Sequence, residues 1–125
     1  MIVIDTSALI DSLAGARRSG PRLYSVIRDG TRVLVPSLVL YEWLRGPRSA
    51  EEIAVQENLF PAETAQPFTT RDAILSAELY RKMRRPRGRE IDLAIVACAL
   101  NRGAELWTLN KADFADIPGL RLLAP

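Results

Sequence analysis

Four acidic residues stand where buried segments begin or end, and together they could hold a divalent metal ion: Asp5, Glu42, Asp92 and Asp113. Asp5 comes directly after the apolar run Ile2-Val3-Ile4. A carboxylate beside buried chain is costly unless something pairs with it. Two carboxylates that are 4 Å apart repel each other by about 4 kcal/mol at an effective dielectric constant of 20, and a cation removes that cost.

Each acid also has a simpler interpretation. Asp5 could cap a helix, and Glu42, within the apolar segment 38–44, could lie on a solvated stripe. Asp92 falls in the first turn of a predicted helix, where a negative charge suits the helix dipole. Asp113 could be an ordinary turn residue. The four gain weight together, because all fall at strand ends or in helices that a parallel sheet would gather at one edge.

Two omissions narrow the choice of ion. The chain has no histidine, and its single cysteine is Cys98. Oxygen ligands without imidazole or a thiolate cluster favour Mg²⁺ or Mn²⁺ over zinc. One cysteine also excludes an internal disulfide and fits a reducing compartment, so we expect a cytoplasmic protein. No apolar stretch approaches the roughly 18 residues that a membrane span requires.

Short apolar runs alternate with segments of helical periodicity. Strands are predicted at residues 2–4, 33–35, 65–68, 105–109 and 120–123. Helices are predicted at residues 7–13, 21–28, 38–45, 50–59, 70–84 and 90–100, the first of them capped by Thr6 or Ser7. This alternation predicts a single domain over residues 1–125, an α/β fold with three α/β/α layers and a short central parallel sheet. Ligands of such sheets bind beyond the carboxyl ends of the strands, where Asp5 lies.

A basic segment precedes Asp92. Residues 81–89 contain six cations, and two residues separate the last of them, Arg89, from the aspartate. The candidates for contact with a nucleic-acid backbone are Arg84, Arg85, Arg87 and Arg89. The alternative is a solvated helix end, where basic residues also suit the dipole.

Five pieces in this order resemble the PIN domain family, and the short chain is similar to VapC-type toxins of prokaryotic toxin–antitoxin pairs. The pieces are Asp5-Thr6-Ser7, Glu42, Asp92 to Ala97, Thr108-Leu109-Asn110 and Asp113-Phe114. The resemblance implies a metal-dependent endoribonuclease with the four acids as its catalytic and metal-binding set. It also implies that Thr6 and Ser7 are polar supports, that the protein is a homodimer, and that a small antitoxin covers the site.

The chemistry expected of such a site is hydrolysis by metal-activated water. One ion would be bound by Asp5 and Asp92 with Asp113, and a second, if present, would lie between Asp5 and Glu42. We expect Thr108 and Asn110 to position the chain and the acids. Glu90 is an extra acid beside Asp92, expected on the solvent side of the helix start.

Three other functions are alternatives to this one. A phosphatase on a similar sheet would open with D-x-D, but position 7 is Ser7. A housekeeping RNA-processing nuclease would have an identical centre. A non-catalytic RNA- or protein-binding module would gain nothing from a repulsive carboxylate cluster. Trp43 and Trp107 are expected to be packing residues, and the apolar residues of 38–44 predict a surface for a partner.

Overall fold

Three short parallel strands form the centre of the molecule, in the order β2-β1-β3. The computed structural model describes residues 1–125. The strands are β1 (Ile2–Ile4), β2 (Val33–Leu34) and β3 (Glu105–Trp107). The helices are α1 (Thr6–Leu13), α2 (Gly20–Arg28), α3 (Ser37–Arg45), α4 (Ala50–Leu59), α5 (Thr70–Lys82), α6 (Glu90–Asn101) and α7 (Lys111–Phe114). The predicted three-layer α/β/α fold is confirmed.

The central strand is buried along its whole length, as its unbroken apolar sequence predicts for a parallel strand covered on both faces. Ile2 pairs with Val33 on one side and with Glu105 on the other. Helix α6 contacts β1 and β3, and it buries every residue from Leu93 to Ala99. The helix that carries Asp92 is therefore fixed against the two strands that lead into the candidate site.

Two predicted strands are reduced to single bridges. Pro36 pairs with Gln66, and Leu106 pairs with Leu122, both in the parallel sense. Pro36 and Pro67 lack the N–H group that a strand needs for its ladder, which explains why the first pairing stops after one residue. The prediction of strands at 65–68 and 120–123 was wrong in length, although both segments lie beside the sheet.

Helix α1 begins differently from the prediction. Its N-cap is Asp5, whose carboxylate accepts a hydrogen bond of 2.8 Å from the Thr6 N–H group, and neither Thr6 nor Ser7 is the cap. Because the aspartate caps the helix, the two hydroxyl groups are free for other contacts. Helix α5 also ends earlier than predicted, at Lys82, since Met83 has extended backbone geometry.

A buried ion pair joins α5 to α6. The Asp72 carboxylate is fully buried and accepts hydrogen bonds from Arg102 at 2.9 Å and Asn101 at 2.8 Å. It also forms a capping box with Thr69. Burial alone would raise the pKa of Asp72, but the bonds from Arg102, Asn101 and Thr69 outweigh it and lower the pKa to about 2. The sequence predicted a helix start at Thr70 or Asp72 but not the ion pair with Arg102.

The two tryptophans are packing residues, as expected. Trp43 is completely buried, and Trp107 is 3% exposed. Neither ring offers an open face on which a base could stack. No helix of the chain has both the length and the apolar character needed to cross a membrane.

Candidate active site

Asp5 lies at the bottom of the candidate site, at the junction of β1 and α1. Its side chain is buried, and its second carboxylate oxygen accepts hydrogen bonds from the Thr108 hydroxyl at 2.8 Å and the Ser7 hydroxyl at 3.2 Å. Burial raises the pKa of Asp5 and the negative charge of Glu42 adds to the rise, while these hydrogen bonds oppose it. The predicted supports Ser7 and Thr108 therefore hold the carboxylate directly.

Glu42 reaches the same place from α3. The Thr6 hydroxyl donates a hydrogen bond of 2.5 Å to its carboxylate, and Arg45 lies 3.4 Å from its other oxygen. Because the Thr6 N–H group bonds to Asp5 while its hydroxyl bonds to Glu42, this one residue links the two acids. The predicted role of Thr6 as a polar support agrees with this geometry.

Asp92 is in the first turn of α6 and is half-buried. No protein group donates a hydrogen bond to its carboxylate. Burial raises its pKa, and so do the negative charges of Asp5, Glu42 and Asp113, while Arg89 opposes the rise. The fold thus brings the other three predicted acids close enough to Asp92 to raise its pKa, although the four come from separate elements.

Asp113 is exposed on the short helix α7, and a contact with α6 holds its backbone. Arg89 donates a hydrogen bond of 2.6 Å to the Asp113 carbonyl and two bonds of 3.1 Å to the Asp116 carboxylate. Hydrogen bonds to Asp116 raise the pKa of Arg89, which remains a cation throughout. Sequence analysis missed Asp116; its only signal was an acidic residue three positions after Asp113.

An open cleft of about 630 Å³ joins two of the acids to the basic segment. It is lined by Arg84, Arg85, Arg89, Asp92, Ala112, Asp113 and Asp116. Arg87 is exposed nearby in the sequence but does not line the cleft. Glu90 lines a different depression, next to Tyr80 and Leu93, so it lies on the solvent side as expected.

Asn110 contributes through its backbone. Its N–H group donates a hydrogen bond of 3.0 Å to the Thr108 hydroxyl, while its side chain is exposed. The Leu109 N–H group similarly bonds to the Ser7 hydroxyl at 3.0 Å. These bonds turn the chain away from the sheet after β3 and carry it towards α7.

The donor set fits a hard divalent cation in its chemistry. All the candidate ligands are carboxylate oxygens, and those of Asp92 and Asp113 accept no protein hydrogen bond. The raised pKa of Asp92 reflects both burial and repulsion between these groups, and a cation would relieve the repulsion. No three acidic or cysteine side chains are clustered closely enough to hold one ion as they stand.

The sequence matches a known family over nearly its whole length. The model of the PIN domain family matches residues 2–120. The chain belongs to the PIN domain family. This PIN domain is 32% identical over 123 residues to Ribonuclease VapC19 of Mycobacterium tuberculosis, covering 97% of the chain and 98% of the relative.

Solved structures share the fold of this PIN domain. DNA-bound VapBC from Salmonella typhimurium matches with a TM-score of 0.79 and 22% identity, covering 98% of this chain and 96% of that one. VapBC2 from Rickettsia felis, bound to a DNA fragment from its promoter, matches with a TM-score of 0.77 and 19% identity over 98% of both chains. A toxin–antitoxin complex from Klebsiella pneumoniae has a TM-score of 0.65 and 25% identity, covering 96% of this chain and 95% of that chain.

Proposed function

We propose that this PIN domain is an endoribonuclease that hydrolyses RNA phosphodiester bonds as the toxin of a toxin–antitoxin pair. The observation that carries the proposal is the placement of Asp5, Glu42 and Asp113 around Asp92, whose charge they all affect, beside a basic cleft. The similarity to Ribonuclease VapC19 along the whole chain supports the choice of RNA as substrate. Residues 1–125 would act as one nuclease domain, in the cytoplasm.

The four acids have distinct tasks in this proposal. Asp5, Asp92 and Asp113 would hold one Mg²⁺ or Mn²⁺ ion, and Glu42 with Asp5 would hold a second ion if one binds. A bound ion supplies Lewis-acid polarisation of the phosphate and lowers the pKa of water. Thr6, Ser7 and Thr108 keep the carboxylates of Asp5 and Glu42 fixed by hydrogen bonds.

The basic segment would contact the RNA backbone. Arg84 and Arg85 line the cleft beside Asp92, and neither forms an ion pair with an acid. The exposed Arg87 would contact the backbone further from the cleft. Arg89 has its guanidinium bonded to Asp116 and to the Asp113 carbonyl, so it contributes charge to the cleft while it holds α7 in place.

The proposed mechanism predicts both a cofactor requirement and the nature of the products. RNA cleavage should require Mg²⁺ or Mn²⁺ and stop in excess EDTA, since the donor set is all oxygen.

Attack by water should leave a 5′-phosphate and a 3′-hydroxyl, because the ribose 2′-hydroxyl takes no part. End analysis of the cleaved RNA by mass spectrometry checks the second point. Cleavage that continues in EDTA, or products with a 2′,3′-cyclic phosphate, would rule out this mechanism.

We also propose that the protein is a homodimer and that a small cognate antitoxin covers its active site. The similarity to a Klebsiella pneumoniae toxin–antitoxin complex supports an antitoxin partner. Helix α3 carries exposed apolar side chains, Tyr41 at 54% and Leu44 at 47%, in addition to its buried residues Val39 and Trp43. Such a surface suits association, in agreement with the sequence pattern.

Light scattering at micromolar concentration should therefore give about 28 kDa, twice the 13.9 kDa of the chain. Leu44→Glu should lower this mass towards that of the monomer if α3 lies in the interface, because a charge would be buried there. Ile74→Glu, at a residue of α5 that is 58% exposed, serves as the matched control. A mass of about 14 kDa for the parent protein alone would contradict the homodimer. A mass that stays at this value after the antitoxin is added would contradict the antitoxin complex as well.

A further inference from the structure

A second basic cleft lies on the other side of α7. It has a volume of about 320 Å³, and its cations are Arg18, Arg22 and Lys111. We propose that this cleft binds backbone phosphates of the RNA strand on the side of the cleavage site opposite to Arg84 and Arg85. The inference rests on the proposed function, because it assigns a position for the same substrate.

The cations of this cleft are not paired with acidic side chains. None of its three cations forms an ion pair with an aspartate or glutamate, and no acidic side chain lines the cleft. The first cleft, by contrast, contains three carboxylates besides its three arginines. Uncompensated cations attract a polyanion through counterion release, which makes RNA the matching ligand class.

Arg22 is held in place at this cleft by contacts within the protein. Its guanidinium lies over the Trp107 ring, 5.5 Å from the ring centroid, and it donates a hydrogen bond to the Ala124 carbonyl. A guanidinium has five N–H donors in a fixed planar arrangement, so most remain available for phosphate oxygens. Holding the group in place lowers the entropy that ligand binding would otherwise cost.

The first cleft contains Asp92 and Asp113, and the second cleft adjoins Asp5. Thr108 lines the second cleft, and its hydroxyl bonds to the Asp5 carboxylate. Helix α7 is shared, because Lys111 lines the second cleft while Ala112 and Asp113 line the first. A single strand that crosses the acids would leave one basic cleft and enter the other, with cations to bind its phosphates on both sides.

The test uses a single-stranded RNA whose cleavage position has been mapped with the parent protein. Binding is measured as a function of salt on an Asp92→Asn background, with the full RNA and with two RNAs shortened on either side of the cleavage position. Arg18→Ala and Lys111→Ala together should lower the log–log salt slope by about 1.4, since each phosphate contact of a single strand contributes about 0.7. This decrease in the slope should be absent with the RNA that lacks the side bound by the second cleft. It should persist with the RNA that lacks the other side.

Two comparison variants test whether the decrease in slope is specific to the second cleft. Arg84→Ala and Arg85→Ala together should also lower the slope, but with the opposite dependence on the two shortened RNAs. Their decrease should persist with the RNA for which the decrease caused by Arg18→Ala and Lys111→Ala is absent. Arg28→Ala and Arg32→Ala together remove two exposed cations outside both clefts and should leave the slope unchanged. If the first double variant does not fold, Arg18→Ala alone, at an exposed position, should lower the slope by about 0.7.

The outcomes separate the two hypotheses. If the parent cleaves RNA and the Arg18 and Lys111 variants keep its salt slope, the second cleft is not an RNA subsite. A loss of antitoxin binding with unchanged RNA binding would likewise overturn the inference and identify the cleft as a protein contact. If the parent neither binds nor cleaves RNA, the proposed function itself fails.

Discussion

Asp92→Asn should lower the rate of RNA cleavage by about 10³-fold while the protein stays folded. The carboxylate has no hydrogen-bond donor in the protein, so its negative charge is available to a cation. We expect this metal ligand to contribute about 4 kcal/mol to transition-state stabilisation. Each 1.36 kcal/mol of activation free energy changes the rate about tenfold, so its loss corresponds to about 10³-fold. Single-turnover kinetics at saturating protein measures the chemical step.

The same substitution should raise thermal stability at neutral pH. The pKa of Asp92 is raised in the folded protein by burial and by the other acids, so its ionised form disfavours folding. The penalty applies in full at pH values above the pKa of Asp92 in the folded protein and is absent below its pKa in the unfolded protein. Asn does not ionise, so it removes the penalty at every pH. A variant that is more stable but inactive cannot be explained by unfolding.

Glu90→Gln provides the matched control. Glu90 precedes Asp92 by two residues, but it is exposed and lines a different depression. Its removal should leave cleavage within about twofold of the parent, a difference of about 0.4 kcal/mol. If Glu90→Gln and Asp92→Asn lower the rate equally, the assignment of Asp92 as the ligand on α6 is wrong.

Asp72→Asn should lower the free energy of unfolding by about 3 kcal/mol, the cost of removing one partner from a buried ion pair. Asn keeps one oxygen that can accept the cap bond from Thr69, but its amide nitrogen then faces Arg102 and Asn101, so the substitution removes the charge together with the bonds from these two residues. Urea unfolding monitored by circular dichroism measures the change. Glu63→Gln, at an exposed residue, is the control and should change stability by less than about 0.5 kcal/mol.

The contribution of Asp72 also has a defined pH dependence. Its pKa of about 2 lies below the value near 3.8 of an unperturbed aspartate. The stabilisation is therefore complete above the unfolded pKa and is lost as the pH falls through the folded pKa, roughly from pH 4 to pH 2. The parent should lose stability over this range, whereas Asp72→Asn should lose less. Parallel acid titrations of the two proteins would contradict the assignment.

Local sequence was sufficient for most of the secondary structure. The bounds of α4 were predicted as the structure has them, and the structure shows that a capping box of Ser49 and Glu52 begins this helix. The strand β1 was equally clear from its unbroken apolar run. These signals involve residues close together in the chain, so they do not depend on the rest of the fold.

The candidate acids were also identified from sequence, because residue type and position at element ends are local properties. Thr6, Ser7 and Thr108 were also expected to support the site, but sequence alone could not determine which carboxylate each of them contacts. Thr108 bonds to Asp5 across 103 positions of sequence. Arg89 belongs to the basic segment, yet its guanidinium is bonded to Asp116.

Tertiary structure alone decided the buried pair of Asp72 with Arg102 and the second cleft formed by Arg18, Arg22 and Lys111. Both sets come from segments far apart in the chain, and no periodicity or motif marks them. Their charges act over a few ångströms, and only the packing of α2, α5, α6 and α7 around the sheet sets which charges lie that close. Sequence determined which groups could do chemistry, and the fold determined their neighbours, because charge interactions depend on distance in space.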